Sequence, residues 1–205
     1  MSPLPNDARR ALLELARQAI AQAVCHQRIM DAPHIPGWPQ DAVLQECSGA
    51  FVTLHARGRL RGCIGQMDGT RSLSGTVITC AIGAALHDPR FTPVTPQELP
   101  ALEIEISVLS APVPVCAQDV EAGRHGVMVV RGSGQGAPRG VLLPQVAVEH
   151  GWTAQRLLEE TCRKAGLPLD AWRDPQTQIL AFTAEVFSVK DVSSQPAAHA
   201  HQPAG

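Results

Sequence analysis

Apolar residues recur at three- and four-residue spacing from Asn6 to about Met30, through Leu12, Leu15, Ala16, Ala19, Ile20, Ala23 and Val24. That period predicts an amphipathic helix, with Asn6 or Asp7 as its N-cap. The stretch APHIPGWPQ, residues 32–40, cannot continue it, because three prolines and a glycine break helical hydrogen bonding. Trp38 in that stretch is read as folding back on the core. Short strands follow at about Val43–Cys47, Ala50–Ala56 and Leu60–Gln66, the last two joined through Arg57-Gly58-Arg59 as a hairpin. A second helix is predicted from about Ser72 to Leu86, with Leu73, Val77, Cys80, Ala81 and Ala84 on one face and small residues suited to close packing on a sheet. The segment HDPRF ends it, since Pro89 disfavours helical geometry at Asp88.

The clearest half-buried strand is LEIEISVLS, Leu102 to Ser110. There Leu102, Ile104, Ile106 and Val108 alternate with Glu103, Glu105 and Ser107. HGVMVVRGSGQGAPRGVLLPQVA reads as one long hairpin with a glycine-rich tip at residues 132–137. Thr153 then caps a third helix that runs to about Ala165, with Gly166 placed to stop it. A last strand is predicted from about Gln178 to Val189. Residues 190–205 lack bulky apolar periodicity and are read as a disordered tail beyond a domain covering residues 8–189. Hairpins interleaved with isolated helices, without a repeating strand–helix pattern, predict an α+β fold with mostly antiparallel sheet and flanking helices.

Composition narrows the function classes. The 205 residues carry a formal net charge of −2 and no long basic block, so the footprint of a nucleic-acid binder is missing. No segment approaches the roughly 20 apolar residues of a membrane span, and the first residues lack the pattern of a secretory signal. A cytoplasmic location is expected. Six cysteines, Cys25, Cys47, Cys63, Cys80, Cys116 and Cys162, stand without close pairs and are read as free thiols, and no spacing suggests a metal site. His199 and His201 are assigned to the loose tail.

One hexapeptide carries candidate chemistry: LRGCIG, Leu60 to Gly65. If Leu60 and Ile64 face the core of a strand, then Arg61, Cys63 and Gly65 face the other way. A guanidinium beside a thiol favours the thiolate, and Gly62 and Gly65 leave room for a backbone or ligand. Cys63 is therefore a candidate nucleophile. The competing reading is a small buried hydrophobe in a tight hairpin, and spacing alone favours that one.

LRGCIG, HDPRFTPVTPQELPALEIEISVLS, HGVMVV, GVLLPQVAVEHGW, CRKAGLPLDAW and AFTAEVFS together resemble the AMMECR family, also called AmmeMemoRadiSam system protein A, from about Ala8 to Val189. The resemblance implies an α+β domain of two unequal lobes forming a cleft near LRGCIG. It implies no established reaction and no known cofactor. It does imply company with a Memo-type protein and a radical SAM protein. Leu60 to Gly65 match the family hexapeptide; Asp88, Arg90 and Phe91 match its D-x-R-F element, though Thr92 stands where a proline is expected. Leu143, Pro144, Gln145 and Val146 match LPxV, Gly151-Trp152 match GW, and Lys164-Ala165-Gly166 match KAG.

These matches predict a cleft in which Arg61, Gly62, Cys63, Gly65, Asp88, Arg90, Phe91 and Gln145 converge. His125, or else His87, is the candidate base for Cys63. Two functions compete: an enzyme using Cys63 for acyl, alkyl or thiol transfer on a small molecule or modified biomolecule, and a non-catalytic binding subunit acting with the Memo-type and radical SAM partners. The bland readings are a local Asp88–Arg90 pair, a solvated Glu103/Glu105 face and Trp152 as a core anchor.

Overall fold

The computed structural model describes residues 3–26, 41–67, 69–134 and 136–193; Trp38 and the 27–30 end of the predicted first helix lie outside them. The chain divides into two compact units. Among the described residues, the larger comprises those from 3 to 107 and 186 to 193, the smaller those from 108 to 185. Helices and antiparallel hairpins make the fold α+β, as the alternation of periods predicts.

In the larger unit, α1 (Asn6–His26) buries Leu12, Leu15, Ala16, Ala19 and Ile20 along one stripe. Each such leucine or isoleucine contributes about 1.5–3 kcal/mol when fully buried. Leu15, Ala19 and Ala23 pack on Ile78 and Ile82 of α2 (Leu73–Leu86). Ser72 caps α2, its hydroxyl accepting the Gly75 N–H at 3.2 Å. That helix is apolar on every side, because α1 packs on one face and the hairpin of β1 (Ala50–Ala56) and β2 (Arg59–Gln66) on the other. Its buried hydroxyls find carbonyls: Ser74 Oγ donates to Leu44 O and Thr76 Oγ1 to Ser48 O. The β1–β2 turn places Arg57 at φ 52° and Gly58 at φ 72°, the doubly left-handed pair of a two-residue hairpin turn. With β3 (Leu102–Leu109) and β8 (Ala184–Ser188) the sheet order is β2-β1-β3-β8, so β2 is an edge strand.

The smaller unit contains a second sheet, ordered β4-β7-β5-β6, from Val113–Pro114, Thr177–Phe182, Gly126–Arg131 and Arg139–Leu142. Val127, Val129 and Ile179 of this sheet meet Leu157, Leu158 and Cys162 of α4 (Ala154–Lys164). Thr153 caps α4 by accepting the Arg156 N–H, and Gly166 at φ 72° ends it in the left-handed conformation.

Four expectations need correction. The predicted strand Val43–Cys47 is a 3₁₀ turn, Ala42–Leu44, capped by the Asp41 carboxylate on Val43 N–H, with only a single bridge from Cys47 to Ser72. The long hairpin stops at Leu142, because Pro144 takes the first position of a further helix, α3 (Pro144–His150), where its missing N–H costs nothing. The last strand is two strands in different sheets, β7 and β8, broken at Thr183. There Thr183 N–H bonds Ser110 Oγ at 2.9 Å and Thr183 O accepts Ser110 N–H at 2.9 Å. The first residues of the predicted tail are helical, and its remainder, with His199 and His201, lies outside the described residues. Residues Val189–Ser193 form α5, whose Val192 is buried and whose Val192 O accepts from Arg10 Nη2 at 3.0 Å.

Candidate functional site: the clasped edge at Cys63

The hairpin register places Cys63 opposite Thr53, Gly62 opposite Leu54 and Ile64 opposite Val52. Leu54 and Val52 are fully buried, so Gly62 and Ile64 share their core face and Cys63 takes the other. Between Gly62 and Leu60, which pairs with His55, one residue has no partner: Arg61 sits in a β-bulge. Arg61 is thereby turned off the strand's alternation. Its Nε bonds Glu98 Oε1 at 2.7 Å and its Nη2 bonds Glu98 Oε2 at 3.2 Å, while Nη1 donates to Thr92 O at 2.9 Å. The expectation that Arg61 activates Cys63 is therefore corrected, since its guanidinium is engaged by Glu98 and the loop carbonyls. Leu60 does not face the core either; it is 41% exposed.

The two glycines are also accounted for within the chain. A Cβ on Gly62 would collide with the backbone carbonyl of Ala84 in α2, so its absence lets strand and helix backbones touch. Gly65 is covered by the ring of Phe51, its cross-strand partner. Neither leaves the open groove that the sequence suggests.

The arginine that does stand beside Cys63 is Arg90. Asp88, just past the end of α2 and 5% exposed, accepts Cys63 N–H on Oδ2 at 2.8 Å. It also accepts Arg90 N–H and Nε on Oδ1 at 3.1 and 3.0 Å, and Arg90 Nη2 on Oδ2 at 2.7 Å. Arg90 Nη2 in turn reaches Cys63 O at 3.4 Å. An edge strand exposes unpaired N–H and C=O groups. Here a carboxylate and a guanidinium satisfy both groups of one residue, as a neighbouring strand would.

These contacts set the electrostatics. The Arg90 guanidinium, with the Cys63 N–H and Arg90 N–H, outweighs burial and holds the Asp88 carboxyl far below its ordinary range. Asp88, and in smaller measure Cys63, raises Arg90 further. Glu98 is lowered from 4.5 to about 2, first by Arg61 and then by the Thr95 N–H. The loop 88–98 is thus strapped to β2 at both ends, and Val94 N–H to Ala85 O at 2.8 Å ties its middle to α2.

The Cys63 thiol is half-buried, and Thr53 Oγ1 donates to its sulfur at 3.3 Å. Phe91 completes the cluster, its ring centroid 5.5 Å from the Arg90 guanidinium carbon. Arg61, Gly62, Cys63, Gly65, Asp88, Arg90 and Phe91 therefore come together. Gln145, second residue of α3, and His125 belong to the smaller unit. His125 Nδ1 there accepts Glu121 N–H at 3.1 Å. His87 is exposed at the C-cap of α2.

Two participants were not singled out in the sequence, Thr53 and Glu98. Thr95-Pro-Gln-Glu98 has the Thr-x-x-Glu form of a capping box, and Thr95 N–H and Oγ1 do bond Glu98 Oε2 at 2.8 and 3.0 Å. That spacing was a usable signal for Glu98. Among the described residues no group of three or more His, Cys, Asp or Glu side chains is arranged to hold a metal, and no helix is long and apolar enough to cross a membrane.

An α+β domain with a clasped, cysteine-bearing edge strand is the class that fold and site define. The chain belongs to the AMMECR1 family, whose model matches residues 13–187. A protein of Methanothermobacter thermautotrophicus is 41% identical over 193 residues, covering 91% of this chain and 96% of that protein. Protein TK0174 of Thermococcus kodakarensis is 41% identical over 187 residues, covering 86% and 87%. The crystal structure of the uncharacterized protein PH0010 from Pyrococcus horikoshii superposes with a TM-score of 0.77 at 38% identity, covering 86% of this chain and 89% of that one.

Proposed function

We propose that this protein is a thiol-dependent group-transfer enzyme in which Cys63 receives an acyl or alkyl group from a small molecule or modified biomolecule. The observation that carries this reading is the environment of the half-buried sulfur. Thr53 Oγ1 donates to it at 3.3 Å, and the Arg90 guanidinium, held by buried Asp88, reaches the carbonyl of the same residue at 3.4 Å. The hydroxyl and the guanidinium fix this residue at the strand edge and offer positive charge to an anion forming there. In the step itself the thiolate displaces a leaving group, which departs with the bonding electron pair. A thioester or thioether forms, and an acceptor nucleophile then takes the group and frees the thiolate.

The test is alkylation of the folded protein by iodoacetamide at near-neutral pH, quantified cysteine by cysteine. Cys63 is expected to react faster than the exposed Cys25 and Cys116 despite its lesser exposure, and Arg90→Gln to slow it selectively. Labelling of Cys63 slower than both, unchanged by Arg90→Gln, would sink the reading.

A second reading, a non-catalytic subunit binding a Memo-type or radical SAM protein, is favoured by one observation: Arg61, Gly62 and Gly65 are all engaged within the chain. It predicts that Cys63→Ser retains full binding to a co-purified Memo-type partner.

A further inference from the structure

A cavity of about 470 Å³ opens at the start of β3, bounded by Arg17 of α1, Glu103 and Glu105 of β3, and Lys190 of α5. Its volume lies within the roughly 300–1,000 Å³ of ordinary small-molecule sites. All of these residues belong to the larger unit. Val189, an exposed apolar side chain, gives it apolar wall, and His55 of β1 adds a ring nitrogen.

The charges decide what fits. Two cations face two carboxylates, so the lining has no excess of either sign for a polyanion such as a nucleotide to exploit. Lys190 Nζ donates to Glu103 Oε2 at 2.7 Å, so that pair neutralises itself. Arg17 and half-buried Glu105 remain, and neither enters an ion pair with another described residue. A free guanidinium suits a carboxylate through its planar fork, and a free carboxylate suits an ammonium.

We propose that this cavity binds a free amino acid with an apolar side chain, its carboxylate on Arg17, its ammonium on Glu105 and its side chain against Val189. This site is independent of the Cys63 chemistry, because none of its lining residues takes part in the clasp.

The experiment is calorimetric titration of the full chain with leucine, methionine and phenylalanine, then with N-acetyl-leucine and leucinamide, each lacking one of the two charges. At least one of the three amino acids should bind saturably, and for leucine each capped analogue should bind at least tenfold more weakly. Arg17→Gln and Glu105→Gln should each weaken amino-acid binding about tenfold or more, with unchanged circular dichroism and thermal midpoint showing that the fold is intact. If one variant fails to fold, the other and the capped analogues decide. No saturable binding of any of the three amino acids would overturn the proposal. So would capped analogues binding as tightly as leucine, or binding untouched in a folded variant.

Discussion

Each unit contains a hairpin whose second strand carries an Arg-Gly pair against a helix, yet only one of them builds a candidate site. In β2 the pair is Arg61-Gly62 under α2; in β6 it is Arg139-Gly140 under α4. A Cβ on Gly62 would meet Ala84 O, and one on Gly140 would meet Thr161 O and lie 2.7 Å from Ala165 N. The glycine does the same work in both, letting a strand touch a helix backbone, so by itself it announces no chemistry. The differences lie around it. β6 pairs with β5 residue for residue from Arg139 to Leu142, whereas β2 carries a bulge at Arg61. Arg139 makes no ion pair among the described residues, whereas Arg61 is forked onto Glu98. The residue after the glycine is Val141 in one strand and Cys63 in the other, and only Cys63 has its backbone clasped by an Asp88–Arg90 pair.

The largest effect should come from filling the shared close approach. Gly62→Val and Gly140→Val each force a side chain into helix backbone, which cannot yield as a flexible side chain does. Overpacking typically costs about 1–3 kcal/mol and more where backbone must move, so each variant should lose at least about 3 kcal/mol in urea unfolding. A tolerated Gly62→Val beside a ruined Gly140→Val would break the equivalence and return Gly62 to a role in ligand access.

Next in size is the clasp. Asp88→Asn keeps the shape but removes the charge that holds Arg90 and accepts Cys63 N–H. Hydrogen bonds to charged groups contribute about 1.5–3 kcal/mol, and the buried end of this pair puts the loss near about 2 kcal/mol at neutral pH. Acid should reproduce it. The folded-state pKa of Asp88 is depressed, so its contribution is complete above its unfolded value of 3.8 and fades as pH falls towards the folded one. Wild type and Asp88→Asn should therefore converge in strongly acidic urea titrations; a constant gap would deny the carboxylate its role.

Glu98 offers a smaller and cleaner window. Its carboxyl is lowered from 4.5 to about 2, so the stability it lends is full above pH 4.5 and lost between there and about 2. The pair is partly exposed, and Glu98→Gln should cost only about 1 kcal/mol at pH 7. The gap to wild type should close across that pH interval. Arg139, lacking such a partner, predicts no equivalent loss for Arg139→Gln.

Much of this fold was legible because the periods are strong. The stripe of α1, the caps Ser72 and Thr153 and the stop at Gly166 all act locally, within a turn of the residue that signals them. The bulge was not legible. A two-residue turn at Arg57-Gly58 with unbroken pairing would set Leu54 opposite Arg61 and Val52 opposite Cys63, driving both polar side chains into the core under α2. One unpaired residue flips the rest of the strand, because side chains alternate with a period of two. Hence LRGCIG taken alone pairs Arg61 with Cys63 on one face, while in the folded chain it is Arg90 that bonds Cys63, through its carbonyl. Nothing in LRGCIG marks which of its residues bulges, since the choice depends on Glu98 and on the Ala84 carbonyl, both distant in sequence.

The smallest expected change in stability is also the sharpest comparison. Cys63→Val gives β2 the same Arg-Gly-Val run that β6 carries at Val141. Valine is branched where cysteine is not, but the position is half-buried on the non-core face and strands favour β-branched residues. The backbone clasp uses the N–H and C=O of residue 63, which valine keeps. Valine gives up the hydrogen bond from the Thr53 hydroxyl to sulfur at 3.3 Å, and that hydroxyl, at a half-buried position, remains open to water. Unfolding should therefore shift by less than about 1 kcal/mol. If the two hairpins differ chiefly in chemistry, this variant should fold like wild type and lose all thiol-dependent reactivity at that edge. A loss of more than about 2 kcal/mol would instead make Cys63 a packing residue whose sulfur fits a space that valine cannot, and the first hairpin would then differ from the second in shape alone.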